Sequence, residues 1–308
     1  MKIHKMQLPL ALAALLCGSA AMFADDYKFS VVARGLVRPT GIVTRGGDTI
    51  YFTEIPTPGA GGGLNAVKAI NVRSQRTSIV HQGEPEPTNL ALDREGNLYW
   101  TCKSAGVILE QSPRAPQSTA VAVLKGLAKP SGVAVDRDGD IYFTQLPTPG
   151  VPGGKNTVSV FDGTETTVLH EGEPEPTDIA VGRDGDIYWT CKSAGVILTQ
   201  DDDGKTSVLL KNLPKPTGIA LDKSGRHLFW TEVPTPGLGG TSGGTNKVWT
   251  LDLKSGKTTL IHAGDPEPTD VTVARNGDVY WTCSSAGVIV QAKRNRDRDD
   301  DDDRDTDK

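Results

Sequence analysis

The sequence predicts an all-β protein: a six-bladed β-propeller built as three two-blade repeats and closed by its N-terminal strand. Three observations predict it. A Pro-Thr-Gly motif or close variant returns six times, at Pro39, Pro87, Pro130, Pro176, Pro216 and Pro268, with spacings of 48, 43, 46, 40 and 52 residues. A period of about 45 residues suits a four-stranded propeller blade. The segments between the motifs are short, β-branched and aromatic, are punctuated by Gly and Asp, and show no sustained helical period.

The chain opens with Lys2 and Lys5, an apolar run from Leu8 to Cys17, and small residues that allow cleavage after Ala21 or Ala24. Residues 1–24 therefore read as a secretory signal peptide, too short to stay as a membrane span. The expected mature protein is secreted or periplasmic, without a membrane span, and monomeric. A lipid on Cys17 fits less well, because Leu16 is bulky where a lipoprotein signal has a small residue.

The propeller is expected over 27–294. Residues 178–213 show one unit: a short inner strand A ("DIAV"), a Gly-Asp turn, strand B ("IYWT"), strand C ("GVILTQ") and strand D ("TSVLLKNL"). The first segment, "YKFSVVARGL", matches the D strands, and the last, "GVIVQAKR", is a C strand with no D strand after it. The N-terminal strand should complete the last blade and hide two sheet edges. Odd blades have a long glycine-rich loop after strand B. Even blades have the short "CKSAG" or "CSSAG", so the true repeat is a pair of blades. Residues 295–308 carry an acidic run that cannot bury a core and is expected to be disordered. The 308-residue chain has a net charge of −5 and no basic patch interleaved with aromatics, which excludes nucleic acid as a partner.

"PTGIALDKSGRHLFWTE" and "GGTNKVWTLDL" resemble NHL-type repeats, and "YWT" after a glycine turn resembles the YWTD repeats of lipoprotein-receptor propellers. "FTEIPTPG" resembles streptogramin B lyases, which belong with the regucalcin-like gluconolactonases to one broad group of propellers. The resemblance covers nearly all of the mature chain. It implies a six- or seven-bladed propeller and a divalent ion near the channel mouth. The family's Glu, Asn and Asp pattern from unequal blades is not visible here.

Strand A should line the channel, with the D-to-A and B-to-C loops on one face. Before each repeated proline the charge alternates: Arg38, Glu86, Lys129, Glu175, Lys215, Glu267. This predicts a charged rim of neighbouring opposite charges able to orient a polar ligand. Two residues after each proline, odd blades have Gly41, Gly132 and Gly218, whereas even blades have Asn89, Asp178 and Asp270. Three oxygen-bearing side chains on a threefold suit Ca²⁺ or Mg²⁺; the other reading is Asx capping of local backbone. Glu54, Gln145 and Glu232 end strand B in the glycine-rich loops, the expected recognition surface.

Cys102, Cys191 and Cys283 end strand B of the even blades. With strands about 4.8 Å apart, these three positions lie too far apart for one zinc cage or one disulfide. They read as separate thiols packed beside Trp100, Trp189 and Trp281. His81, His170 and His262 recur at the ends of D strands, two strands from the cysteines, and pairing them as Cys/His sites is the sharper alternative. Two functions are carried forward. One is a binding propeller recognising a ligand or protein partner on its loop-rich face. The other is a divalent-metal-dependent lactonase or lyase at the channel mouth. The nearly threefold mouth favours binding, because a substrate needs unlike groups on different sides.

Overall fold

A computed structural model describes residues 27–56, 64–83, 85–112, 119–146, 154–172, 175–234 and 245–295. Twenty-four strands form six four-stranded antiparallel sheets. The inner strands are Pro39–Thr44, Pro87–Leu92, Pro130–Val135, Pro176–Val181, Pro216–Leu221 and Pro268–Val273. Blades 1 to 5 run consecutively from inner to outer strand. In blade 6 the outer strand is Tyr27–Ala33, which pairs antiparallel with Val288–Arg294, from Tyr27 opposite Arg294 to Ala33 opposite Ile289. The expected closure of the ring is present. It leaves the third strand of blade 6, Val288–Arg294, paired on both sides.

The core lies between blades. Strand B is the most buried element: Trp100, Trp189 and Trp281 are fully enclosed in the even blades, with Phe52, Phe143 and Trp230 in the odd ones. Alternation along strand B sends these aromatics to one face of the blade and Tyr99, Tyr188 and Tyr280 to the other, so both faces bury large side chains. Among the described residues, no helix is long and apolar enough to cross a membrane. The predicted leader and acidic run, and most of the glycine-rich loops, lie outside the described residues.

Candidate functional site: the axial Asx triad

Strand A begins with a bulge. In each blade the pairing of strands A and B slips just after the proline. The threonine of the "YWT"-type motif fills the gap. Thr53, Thr101, Thr144, Thr190 and Thr231 accept hydrogen bonds from the amides of Gly41, Asn89, Gly132, Asp178 and Gly218, at 2.8–3.2 Å. In the even blades the same hydroxyls donate across the blade boundary: Thr101 to Ser131 O, Thr190 to Thr217 O and Thr282 to Thr40 O, at 2.6–2.7 Å. These threonines are fully buried. They escaped the sequence reading, although the invariant Thr after each aromatic pair was a visible signal.

The bulge turns Asn89, Asp178 and Asp270 toward the axis, where they are buried. Each reaches the inner strand of the next odd blade. Asn89 Oδ1 accepts from Val133 N (2.9 Å), Asp178 Oδ2 from Ile219 N (2.8 Å) and Asp270 Oδ2 from Ile42 N (2.8 Å). The second oxygens of Asp178 and Asp270 accept from Ile179 N and Val271 N. Across the axis, Asn89 Nδ2 donates to Asp270 Oδ2 at 3.2 Å, and the carboxyls of Asp178 and Asp270 hydrogen-bond to each other. The three predicted residues therefore do come together. The odd-blade glycines make room: a Cβ on Gly132 would lie 2.7 Å from Asp178 Cα, and one on Gly218 would lie 2.4 Å from Asp270 Cα.

Burial governs the charge state. Loss of water pushes Asp178 up to about 7, against hydrogen bonds from Ile219 N, Ile179 N, Asp270 and Asn89 that favour its charged form. Asp270 is raised well above its ordinary value by burial and then by the charge of Asp178. Two facing carboxylates without water need either a proton or a cation between them.

The residues fit a divalent cation at two of the three predicted positions. Asp178 and Asp270 offer hard oxygens. Asn89 turns its amide oxygen to Val133 N and presents its NH₂ group to the carboxyls, and a hard cation takes oxygen. Below the triad the channel holds about 230 Å³, walled by Ile42, Leu90, Val133, Ile179, Ile219 and Val271.

The remaining predicted residues are placed as follows. Glu54 is buried, accepts from Val37 N at 3.1 Å and pairs with Lys68 at 2.5 Å. Glu232 is buried and accepts from the indoles of Trp230 (3.1 Å) and Trp249 (3.0 Å). Gln145 accepts from Ala128 N and donates to Thr157. All three brace their own blades. Arg38, Glu86, Lys129, Glu175, Lys215 and Glu267 stand on the surface at φ of 46–53°. Each carbonyl accepts from the B-to-C loop of its own blade, as Glu86 O does from Lys103 N. The expected ion pairs between neighbouring blades do not form among the described residues. Glu86, Glu175 and Glu267 accept instead from Ser104, Ser193 and Ser285, in the B-to-C loops of their own blades.

Cys102, Cys191 and Cys283 are fully buried, each in a cluster with its tryptophan. Burial, with Asp265 adding to it, pushes the Cys283 thiol well up. The histidines differ from the strand-counting argument. His81, His170 and His262 pack on Trp100, Trp189 and Trp281 of the following blade, with ring centroids 5.3–5.6 Å apart. Two strands separate His from Cys within one blade, but blades stack face to face, so the contact crosses the boundary. His262 Nε2 lies 3.2 Å from Asp265, which also accepts from Trp281 Nε1 at 2.7 Å.

No family model matches the chain, and no curated protein matches it. Solved structures do. A gluconolactonase from Xanthomonas campestris aligns with a TM-score of 0.70 at 15% identity over 94% of each chain. A putative gluconolactonase aligns at 0.67 and 14% identity, covering 89% of this chain and 94% of that one. A streptogramin B lyase aligns at 0.59 and 18% identity, covering 88% of this chain and 98% of that one. The fold is that of the lyase and gluconolactonase propellers. At these identities the likeness extends to architecture and stops there.

Proposed function

We propose that the protein is a binding propeller, acting outside the cytoplasm on a ligand or protein partner, and that its axial triad closes the ring. One observation carries this reading. Every triad side chain already bonds the inner strand of the next odd blade, so the most chemically distinctive groups in the channel are committed to joining blades. Glu54 and Glu232 are likewise satisfied inside their blades. What stays outward on the D-to-A face is the rim of alternating charge, above a scaffold able to hold recognition loops rigid. The leader-like residues 1–24 support the location.

The second reading is a divalent-metal-dependent lactonase or lyase. The meeting of Asp178 with Asp270 favours it, as does the likeness to proteins described as lyases and gluconolactonases. Metal content by mass spectrometry, beside lactone-hydrolysis and elimination assays on the whole chain, separates the two. The binding reading expects no stoichiometric Ca²⁺ or Mg²⁺ and no turnover. One such ion per chain, lost together with turnover in a D178N/D270N variant, would overturn it.

A further inference from the structure

The opposite end of the channel carries a second constellation. Every A-to-B turn places a cation at the same position, two residues after Val43, Leu92, Val135, Val181, Leu221 and Val273. These are Arg45, Arg94, Arg137, Arg183, Lys223 and Arg275. All six are exposed, and all six line one cavity of about 750 Å³ at the mouth. Among the described residues none is in an ion pair. Arg45 reaches the carbonyl of Arg94, linking adjacent turns.

Acids line the same mouth, but their oxygens are largely engaged. Asp93 accepts from the amides of Gly96 and Asn97, Asp136 from those of Asp138, Gly139 and Asp140, and Asp222 from those of Arg226 and His227. Glu95 is the other lining acid. The mouth therefore carries six cations against the four carboxylates of Asp93, Glu95, Asp136 and Asp222, and a multivalent anion would offset the positive excess.

The approach to the ring is uneven. On blades 3 and 4 acids crowd together: Asp136, Asp138 and Asp162 surround Asp140, while Asp184, Asp201 and Asp202 surround Asp186. Between blades 6 and 1 the surface is basic. A groove of about 580 Å³ there is lined by four cations, Lys28, Arg73, Lys293 and Arg294, against two acids, Asp48 (paired with Arg73 at 3.0 Å) and Asp278, and runs past Gly46 and Asn276, in the turns that carry Arg45 and Arg275. The third strand of blade 6 ends in this groove, at Arg294 and Asn295.

The sequence continues with RDRDDDDDRDTDK, residues 296–308, which lie outside the described residues. The run Asp299–Asp303 starts four residues beyond Asn295. An extended chain covers about 3.4 Å per residue, so the run has a reach of roughly 14–27 Å. Strand C stands about 10 Å outside strand A. The run can therefore meet the ring from the basic side.

We propose that the cation ring at the A-to-B end binds a carboxylate-rich peptide segment, and that Asp299–Asp303 is such a segment in cis. The inference does not depend on whether the axial triad binds metal. The test titrates a labelled peptide RDRDDDDDRDTDK into the full chain carrying D299N, D300N, D301N, D302N and D303N, read by fluorescence anisotropy. Saturable binding is expected, weakening about tenfold between roughly 0.05 and 0.2 M salt. R94E/R137E/R183E, at exposed positions, should weaken it about tenfold or more, with the circular dichroism spectrum unchanged. The chain with its own Asp run intact should bind the peptide about tenfold less tightly, because the tethered run competes. No binding, or binding indifferent to the charge reversals, overturns the site. Binding of inorganic tripolyphosphate without binding of the peptide overturns the ligand class. Equal affinity for both chains overturns the cis source and leaves an acidic segment of another chain.

Discussion

Asp178 and Asp270 meet at the axis of the propeller, where burial raises both carboxyls and the charge of Asp178 raises Asp270 further. Neither residue is near the other in sequence or in the same blade. Each also accepts from the amides of Ile219 and Ile42 on the inner strands beyond. The pair links four blades.

The first prediction concerns pH. Asp178 is raised from its ordinary value to about 7 in the folded state. A carboxyl raised on folding binds its proton more tightly in the native state. Its stabilising contribution is complete below the unfolded pKa, near 4, and is lost as pH rises to about 7. D178N should remove that slope, which is roughly 1 kcal/mol per pH unit for one proton. Denaturant unfolding of both chains between pH 4 and 8 checks this. A difference between them that is flat with pH would mean that folding does not raise Asp178.

The glycines beside the triad should be irreplaceable. Gly132→Ala drives a Cβ to 2.7 Å from Asp178 Cα, and backbone on both sides cannot move without opening the ring. A loss of about 2–3 kcal/mol is expected. Gly46→Ala, which meets nothing within 4 Å, serves as the control and should change stability little. Chemical denaturation midpoints give the comparison.

Glu232 separates a structural role from a recognition role. Its two oxygens take the indole protons of Trp230 and Trp249, whose rings stack 6.1 Å apart. Glu232→Gln replaces one acceptor by an NH₂ group facing an N–H donor. The expected cost is about 1–2 kcal/mol in unfolding free energy. Unchanged stability would return Glu232 to the list of surface ligand contacts.

Much of this architecture was legible because repetition exposes it. The six prolines set the blade count, and the likeness of Tyr27–Leu36 to later D strands gave the closure. Asn89, Asp178 and Asp270 were legible because strand A alternates inward. Three things were not. Thr101 and Thr190 looked like ordinary strand residues, since only the bulge after the proline gives their hydroxyls an amide to accept from. Glu54 and Glu232 looked like loop-edge ligand contacts, since a strand's last residue can face either way. The His–Trp contacts were hidden because strand counting measures distance within a blade, while packing joins the faces of different blades.

The three repeated cysteines yield the last prediction. Cys102, Cys191 and Cys283 have no exposed surface, and burial raises the Cys283 thiol, so little reactive thiolate exists at neutral pH. In a C17S chain, a thiol reagent such as DTNB should find all three groups silent in the folded protein and release three equivalents on unfolding. The labelling rate should track global opening and fall with any stabilising change. Fast labelling of the native protein would show that the cysteines are accessible and return them to consideration as redox or metal sites. Slow labelling identifies them as what the packing makes them: small apolar side chains beside Trp100, Trp189 and Trp281, copied with each blade pair because the tryptophan's pocket was copied too.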